Sequence, residues 1–266
     1  MLNAAFNTVG SGGFMRLTVL GGCGAWPDAG SACSGYLVEH DGFLLLIDPG
    51  YATLPRLLAL CAASAVDAVL VSHGHPDHCA DLNPLLRARA LAHSPAPRLP
   101  VFAPPGALDA VLALDRPGML DDAFELREFV PGTSFHTGPF SVRSWLLPHW
   151  EPNAGLRIQA AGTSIAYTGD TGPSPHLLEL ARDCDLFLAE ATYLDHVPPG
   201  SEKYLSSARL ASRVAADAGA GRLVLTHLWP GTDPDTAIRA AATSYEGDIA
   251  VAIPGLTETW SDQRAT

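Results

Sequence analysis

The sequence predicts an α/β fold of two sheets covered by helices on the outside, and three observations carry that expectation. Strand-like runs recur along the whole chain with helical stretches interposed in both halves, the pattern of a layered α/β architecture. Of the 266 residues 47 % are apolar and 17 % charged, enough apolar material for a sizeable core and too little charge for a disordered chain. Twenty-five glycines and 22 prolines supply the turns that many short strands require. No short repeat and no low-complexity linker divides the chain, so one domain is expected over 15–266. A loosely ordered, Gly/Asn/Ser-rich extension is expected over 1–14, and Met15 is an alternative start to Met1 because a strand-like run opens at Arg16.

Taken in order, 16–20 reads as a strand and feeds a Gly-rich loop through Ser31. Strands 35–39 and 42–48 form a hairpin around Asp41-Gly42, a dipeptide suited to the positive φ angles of a tight turn. A helix is expected over 54–62 and a buried strand over 68–72. Asn83-Pro84 reads as an N-cap followed by Pro at the first helical position, opening a helix to about Ala92. Strands at 101–103, 124–129, 140–147, 156–160 and 164–168 follow, with a helix at 106–114. The last third alternates helix 176–181, strand 186–190, helix 206–218 and strand 223–226. Asp233-Pro234 then caps a helix to about Ala242, and 249–253 and 257–260 are closing strands.

Charge and cysteine usage bound the partners. Sixteen basic against 28 acidic residues give a net charge of −12, and such a surface repels long polyanions unless a local patch or bound metal reverses the field. No basic run exists; Arg87, Arg89 and Arg98 read as a solvated helix face. The longest pure aliphatic stretch, 43–47, is far below the ~18 residues of a membrane span. Cys23, Cys33, Cys61, Cys79 and Cys184 form no CxxC pair, and there is no export signal, so a cytoplasmic location with thiols used as small buried hydrophobes is expected.

Chemistry concentrates in Ser72-His73-Gly74-His75-Pro76-Asp77-His78. Imidazole nitrogen with carboxylate oxygen suits zinc. Histidines two apart do not share a helix face, so the segment is expected to be a loop leaving strand 68–72. Pro76 disfavours helical geometry at His75, and Gly74 permits a sharp turn between bulky neighbours. A helix beginning near Asp77 would return Asp77 and His78 to the same point.

This run resembles the HxHxDH signature of the metallo-β-lactamase superfamily, and the resemblance continues in order along most of the chain. Asp48 closes a strand, His149 follows one in Leu147-Pro148-His149, Asp170 sits in Tyr167-Thr168-Gly169-Asp170-Thr171, and His227 ends Leu225-Thr226-His227. The resemblance implies a four-layer αββα sandwich and a hydrolase. It implies one metal on His73, His75 and His149, a second on Asp77, His78 and His227, and Asp170 bridging. Two Zn2+ would share a hydroxide, with Mn2+ or Fe2+ as alternatives, and Asp77 would be the catalytic residue that orients the hydroxide or takes its proton. Asp48 either buttresses a ligand histidine or ends its strand in a turn before Pro49-Gly50. Cys79 is expected to be packing.

Within the superfamily the chain more closely resembles the ribonuclease Z-like branch, especially compact actinobacterial cyclic-nucleotide phosphodiesterases. The segments that carry this are 17–24, Asp170-Thr171-Gly172, Ala189-Glu190-Ala191-Thr192 and Leu225-Thr226-His227. His149 and Asp170 are 21 positions apart, room for two short strands and no tRNA-binding arm, which with the negative charge argues against tRNA. Two positions depart from the branch: Ala189 stands where ribonuclease Z has His, and Tyr204 where the branch has a candidate proton-donor or phosphate-contacting His, a place from which its hydroxyl could still donate a hydrogen bond to substrate. Glu190 is either a partner behind the ligands or a strand-end carboxylate. Trp150 and Trp229, with Trp26, either stack on a planar substrate group or pack the rim.

The leading expectation is therefore a zinc-dependent phosphodiesterase acting on a small nucleotide-type substrate, a homodimer by family analogy. The alternatives are hydrolysis of an ester, thioester, lactone or lactam on the same site, and a non-catalytic, metal-stabilised binding protein. Asp170 at the bridging position argues against a secreted antibiotic hydrolase, which carries a Cys ligand or an export signal. His75 stands where a diiron oxygen-reducing centre needs a carboxylate.

Overall fold

The computed structural model of the chain describes residues 14–94 and 96–261. The extension expected over 1–14 lies outside the described residues apart from Phe14, which opens strand β1 (Phe14–Gly21). β1 pairs antiparallel with β2 (Gly35–His40), which turns into β3 (Phe43–Ile47) through Asp41 at φ +49 and Gly42 at φ +77. Two consecutive positive φ angles are what an Asp-Gly hairpin turn requires. β4 (Ala68–Leu70), β5 (Leu99–Ala103) and β6 (Phe124–Glu128) add in parallel to β3. With β14 (Thr257–Ser261) beside β1, the first sheet runs β14-β1-β2-β3-β4-β5-β6.

The second sheet mirrors the first in size. An antiparallel meander of β7 (Ser134–Thr137), β8 (Phe140–Leu147), β9 (Asn153–Ala160) and β10 (Thr163–Tyr167) continues in parallel through β11 (Leu186–Glu190), β12 (Arg222–Thr226) and β13 (Asp248–Val251). β9 and β10 are the two short strands expected between His149 and Asp170, joined at 161–162 with no inserted arm. β7 is not visible in the sequence because its four residues carry no apolar alternation; pairing with β8 supplies its stability.

Alternating side chains of both sheets meet in one core, with Met15, Leu17, Val38 and Ile47 facing Phe140, Leu156, Ile158 and Ile165. A second core lies between the first sheet and α1 (Leu54–Leu58), α2 (Pro76–Cys79), α3 (Leu82–Ala90) and α4 (Asp109–Leu112), filled by Leu57, Leu82, Leu86 and Val111. A third packs α5 (His176–Ala181), α6 (Ala208–Ala218) and α7 (Pro234–Ala241) on the second sheet through Leu177, Leu180, Ala211, Ala215 and Ala237. The result is a four-layer αββα sandwich. Ser207 caps α6 by accepting from Leu210 N at 3.2 Å, and Asp233 caps α7 by accepting from Thr236 N at 3.1 Å.

Several expectations are corrected. The helices expected at 54–62 and 106–114 shrink to α1 and α4, whose flanks turn away once Leu57 and Val111 are buried. The helix expected at 83–92 begins at Leu82, and Asn83 is no cap: it is buried and donates to Asp115 Oδ2 at 2.8 Å. The solvated arginine face does not form. Arg89 is buried, its two terminal guanidinium nitrogens donating to the carbonyls of Ala63, Val66 and Pro97 at 2.7, 3.2 and 2.7 Å, and Arg98 precedes β5 instead of lying on a helix. All five cysteines are free; burial pushes the Cys33, Cys79 and Cys184 thiols up to about 12. Among the described residues no helix is long and apolar enough to cross a membrane.

Candidate metal centre

Strand direction gathers the site. β3 and β4 are parallel, β10, β11 and β12 are parallel, and two antiparallel steps make β8 parallel to β10. Their carboxyl ends lead into Asp48, Ser72-His73, His149, Asp170, Glu190 and His227, the edge at which open α/β sheets place their ligands. His75 is extended at φ −63, ψ 140, as a residue before Pro must be, and Pro76 starts α2, which carries Asp77 and His78 back to the edge. At Gly74 a Cβ would stand 2.6 Å from Ala107 O, so the turn between the two histidines admits only glycine.

The seven residues assemble into two groups that share one carboxylate. His73, His75, His149 and Asp170 offer ligand atoms within 4.8 Å of one another, and so do Asp77, His78, Asp170 and His227. In the first group His75 Nδ1 lies 3.1 Å from His73 Nε2 and 3.0 Å from His149 Nε2, with Asp170 Oδ2 3.8 Å from both Nε2 atoms. In the second, His227 Nε2 lies 3.1 Å from both Asp77 Oδ2 and Asp170 Oδ2, and His78 Nε2 is 3.2 Å from Asp170 Oδ1.

The far side of each imidazole decides what its near side can do. His78 Nδ1 meets Asp48 Oδ2 at 2.7 Å, His149 Nδ1 meets Tyr204 O at 2.9 Å, and His75 Nε2 meets Glu151 Oε1 at 3.1 Å. Carboxylate and carbonyl oxygens only accept, so Nδ1 of His78 and of His149 carries the proton and their Nε2 atoms turn lone pairs inward, while the Glu151 charge beside His75 Nε2 favours the proton there. His73 Nδ1 lies 3.0 Å from Ser72 Oγ, and His227 Nδ1 2.8 Å from Thr192 Oγ1. Lone pairs converging at 3.0–3.1 Å repel unless a cation lies among them. His78 Nε2 and Asp170 Oδ1 are moreover buried without a hydrogen-bond partner. An N/O donor set with orphaned buried atoms fits divalent cations.

Burial alone would raise the Asp170 carboxyl, but the charged rings of His227 and His78 outweigh it and hold it well below the usual carboxylate range, and Asp170 in turn raises both rings against their burial, so cations at this site would compete with protons. Asp77 is likewise driven down against its burial by His78 and His227, and its Oδ2 also accepts from Ala25 N at 2.7 Å. Burial, reinforced by the charge of Asp170, raises Glu190 to about 8.

Asp48 is fully buried and accepts from Ser72 N, Ser72 Oγ and Tyr167 OH at 2.7, 2.6 and 2.7 Å besides His78. Its side chain therefore sits behind His78, while its backbone ends β3 in the turn before Pro49-Gly50, where Gly50 N donates to Asp48 O at 2.8 Å. Glu190 accepts from Thr192 Oγ1 at 2.7 Å, from Ser206 N at 3.0 Å and from Thr171 N, so it reaches His227 through Thr192. Asp48 at φ +47 and His227 at φ +57 both hold left-handed backbone, a strain that concentrates at functional sites.

An aromatic ring borders the first group, and a second aromatic pair follows His227 in the chain. Trp150 packs at 5.0 Å from the His149 ring and at 5.2 Å from Tyr204, while Trp26 and Trp229 pair at 5.2 Å. Trp150 and Trp26 remain about half exposed, at 54 % and 53 %. Tyr204 contacts the cluster through its carbonyl, its ring lying on Trp150. Cys79 is buried, and its thiol donates to the carbonyls of His75 and Gly74 at 3.4 and 3.5 Å. Sequence reasoning missed Glu151 and gave no role to Ser72, Tyr167 and Thr192. Ser72 and Thr192 lie inside quoted motifs, but a carboxylate two residues past a single histidine carries no signal of its own.

Residues 44–228 match the Beta-lactamase superfamily domain. The probable metallo-hydrolase YhfI of Bacillus subtilis is 29 % identical over 91 % of this chain and 98 % of its own length. A ribonuclease Z of Mycobacterium bovis is 31 % identical over 89 % of this chain and 95 % of its own. The crystal structure of YhfI superimposes with a TM-score of 0.84 at 28 % identity, covering 93 % of this chain and 99 % of that one.

Proposed function

The chain belongs to the metallo-β-lactamase superfamily as a metallo-hydrolase, and from that premise we propose a dinuclear zinc phosphodiesterase acting on a small nucleotide-type phosphodiester such as a cyclic nucleotide. The observation that carries the reading is the sharing of Asp170 between two donor groups. His73, His75 and His149 would hold one cation, Asp77, His78 and His227 the other, and Asp170 both; Mn2+ or Fe2+ could replace zinc on the same N/O donors. Two such cations supply Lewis acidity at the scissile group and make water nucleophilic near neutral pH.

The protein's own groups do the rest. Asp48, Ser72, Tyr204 and Thr192 orient imidazoles from behind. With Asp77 Oδ2 accepting from Ala25 N and turned toward the second cation position beside His227 Nε2, Oδ1 is left to orient the attacking water and receive its proton. Trp150 beside the first group, and Trp229 two residues past His227 with Trp26 packed on it, offer faces on which a nucleobase stacks. The direct β9–β10 connection and the net charge of −12 disfavour tRNA. Five free thiols accord with a cytoplasmic enzyme.

A second reading, hydrolysis of an ester, thioester, lactone or lactam, is favoured by one observation. Among the described residues no Arg or Lys side chain makes a hydrogen bond or ion pair with the seven, so a phosphoryl oxygen would rely on the cations alone. Zinc-loaded protein assayed side by side on bis-p-nitrophenyl phosphate, cyclic nucleotides, a lactone and a thioester decides. Turnover of the cyclic nucleotides, abolished by chelation, supports the first reading; turnover of the lactone or thioester alone replaces it with the second. Ligand retention without turnover of anything points to a binding protein.

A further inference from the structure

We propose that Glu151 is the positioning residue for His75, selecting the ring nitrogen that His75 presents to the first cation position and so setting that position's affinity; the proposal rests on the two-metal reading above. The five histidines differ in how they are held. The side chains of His73, His78, His149 and His227 are 0, 0, 1 and 5 % exposed, so packing locks their rings, whereas His75 is 31 % exposed. Solvent reaches the His75 ring, so packing against His73 and His149 holds it less firmly than the other four are held.

Glu151 supplies the further hold. Its Oε1 meets His75 Nε2 at 3.1 Å while Oε2 accepts from Gly74 N at 3.1 Å, so both oxygens grip the same turn and the carboxylate plane is fixed. A neutral imidazole carries one ring proton. The negative carboxylate 3.1 Å from Nε2 draws that proton to Nε2 and leaves the lone pair on Nδ1, the atom facing His73 Nε2 and His149 Nε2. Without the carboxylate, the proton distributes between both nitrogens and the exposed ring rotates. The chain places Glu151 two residues beyond His149, so the single segment joining β8 to β9 carries one ligand, the aromatic Trp150 and the anchor of another ligand.

The test compares wild type with Glu151→Ala, Glu151→Met and Glu151→Gln, each first checked for folding by circular dichroism. Two quantities are read: the His75 tautomer from ring nitrogen shifts of the metal-free protein, and the affinity of each zinc equivalent by competition with a chelator. Wild type is expected to show the Nε2–H tautomer and two tight equivalents. Glu151→Ala, or Glu151→Met should the alanine variant not fold, is expected to show mixed tautomers and about 10–100-fold weaker binding of one equivalent only. Glu151→Gln retains an accepting oxygen and recovers most of the affinity. Wild-type affinity for both equivalents in the Ala and Met variants overturns the proposal alone, as does an unchanged tautomer. Wild type that takes up fewer than two equivalents overturns the two-metal reading and the proposal with it.

Discussion

Asp48 offers the sharpest perturbation because one fully buried carboxylate accepts four hydrogen bonds, two from Ser72 and one each from Tyr167 and His78. Asp48→Asn keeps shape and volume, and Asn tolerates the left-handed backbone at φ +47. The amide has only one accepting atom. If its NH2 takes the Oδ2 position, it faces His78 Nδ1, Ser72 Oγ and Tyr167 OH, and His78 must move its proton to Nε2, the nitrogen that faces Asp170. If the NH2 takes the Oδ1 position, it collides with Ser72 N–H. Either way one buried donor is orphaned, at about 1–3 kcal/mol. The second cation position should weaken about 10–100-fold, or roughly 1.4–2.8 kcal/mol. Urea unfolding of the metal-free protein measures the first effect, and zinc competition against a chelator the second. Asp48→Ala should lose a further ~1–2 kcal/mol, because alanine does not favour left-handed backbone. An Asp48→Asn protein with an unchanged unfolding midpoint and unchanged zinc affinity would refute the reasoning.

Other outcomes follow from the same geometry. Thr192→Val removes the hydroxyl between Glu190 and His227, and should weaken one zinc equivalent by about tenfold while leaving the other intact; equal loss at both would reject the relay. Replacing Trp150 and Trp229 with Ala should raise KM about tenfold or more for substrates bearing a base, and equal loss on a base-free phosphodiester would discard stacking. Adding zinc to metal-free protein at a thousand times Kd should contribute about 4.1 kcal/mol per site, raising Tm by roughly 8–16 °C; a Tm indifferent to chelators would remove the metal from the fold.

Much of the architecture was legible because its signals are local. Burial alternation along β1 and β8, the Asp41-Gly42 turn and the Asp233 cap each depend on a few consecutive residues. Helix ends at Leu58 and Leu112 were not legible, since nothing in the local sequence breaks the helix and packing of Leu57 and Val111 sets its length. Arg89 misled for a related reason: a cationic side chain on a helix is solvated by default, and only three carbonyls from distant turns make its burial tolerable.

By itself the sequence determined the ligand chemistry, since His73, His75, Asp77 and His78 fall within six residues and each remaining donor follows an apolar strand. Tertiary structure alone decided which nitrogen each histidine turns inward. That choice is made by hydrogen-bond acceptors 30 and 55 positions away in the chain for His78 and His149, namely Asp48 and Tyr204, and we assign it for His75 to the Glu151 charge 76 positions on. Proton placement on an imidazole follows the nearest acceptor in space, and proximity in space is created only when strands distant in the chain end at a common edge.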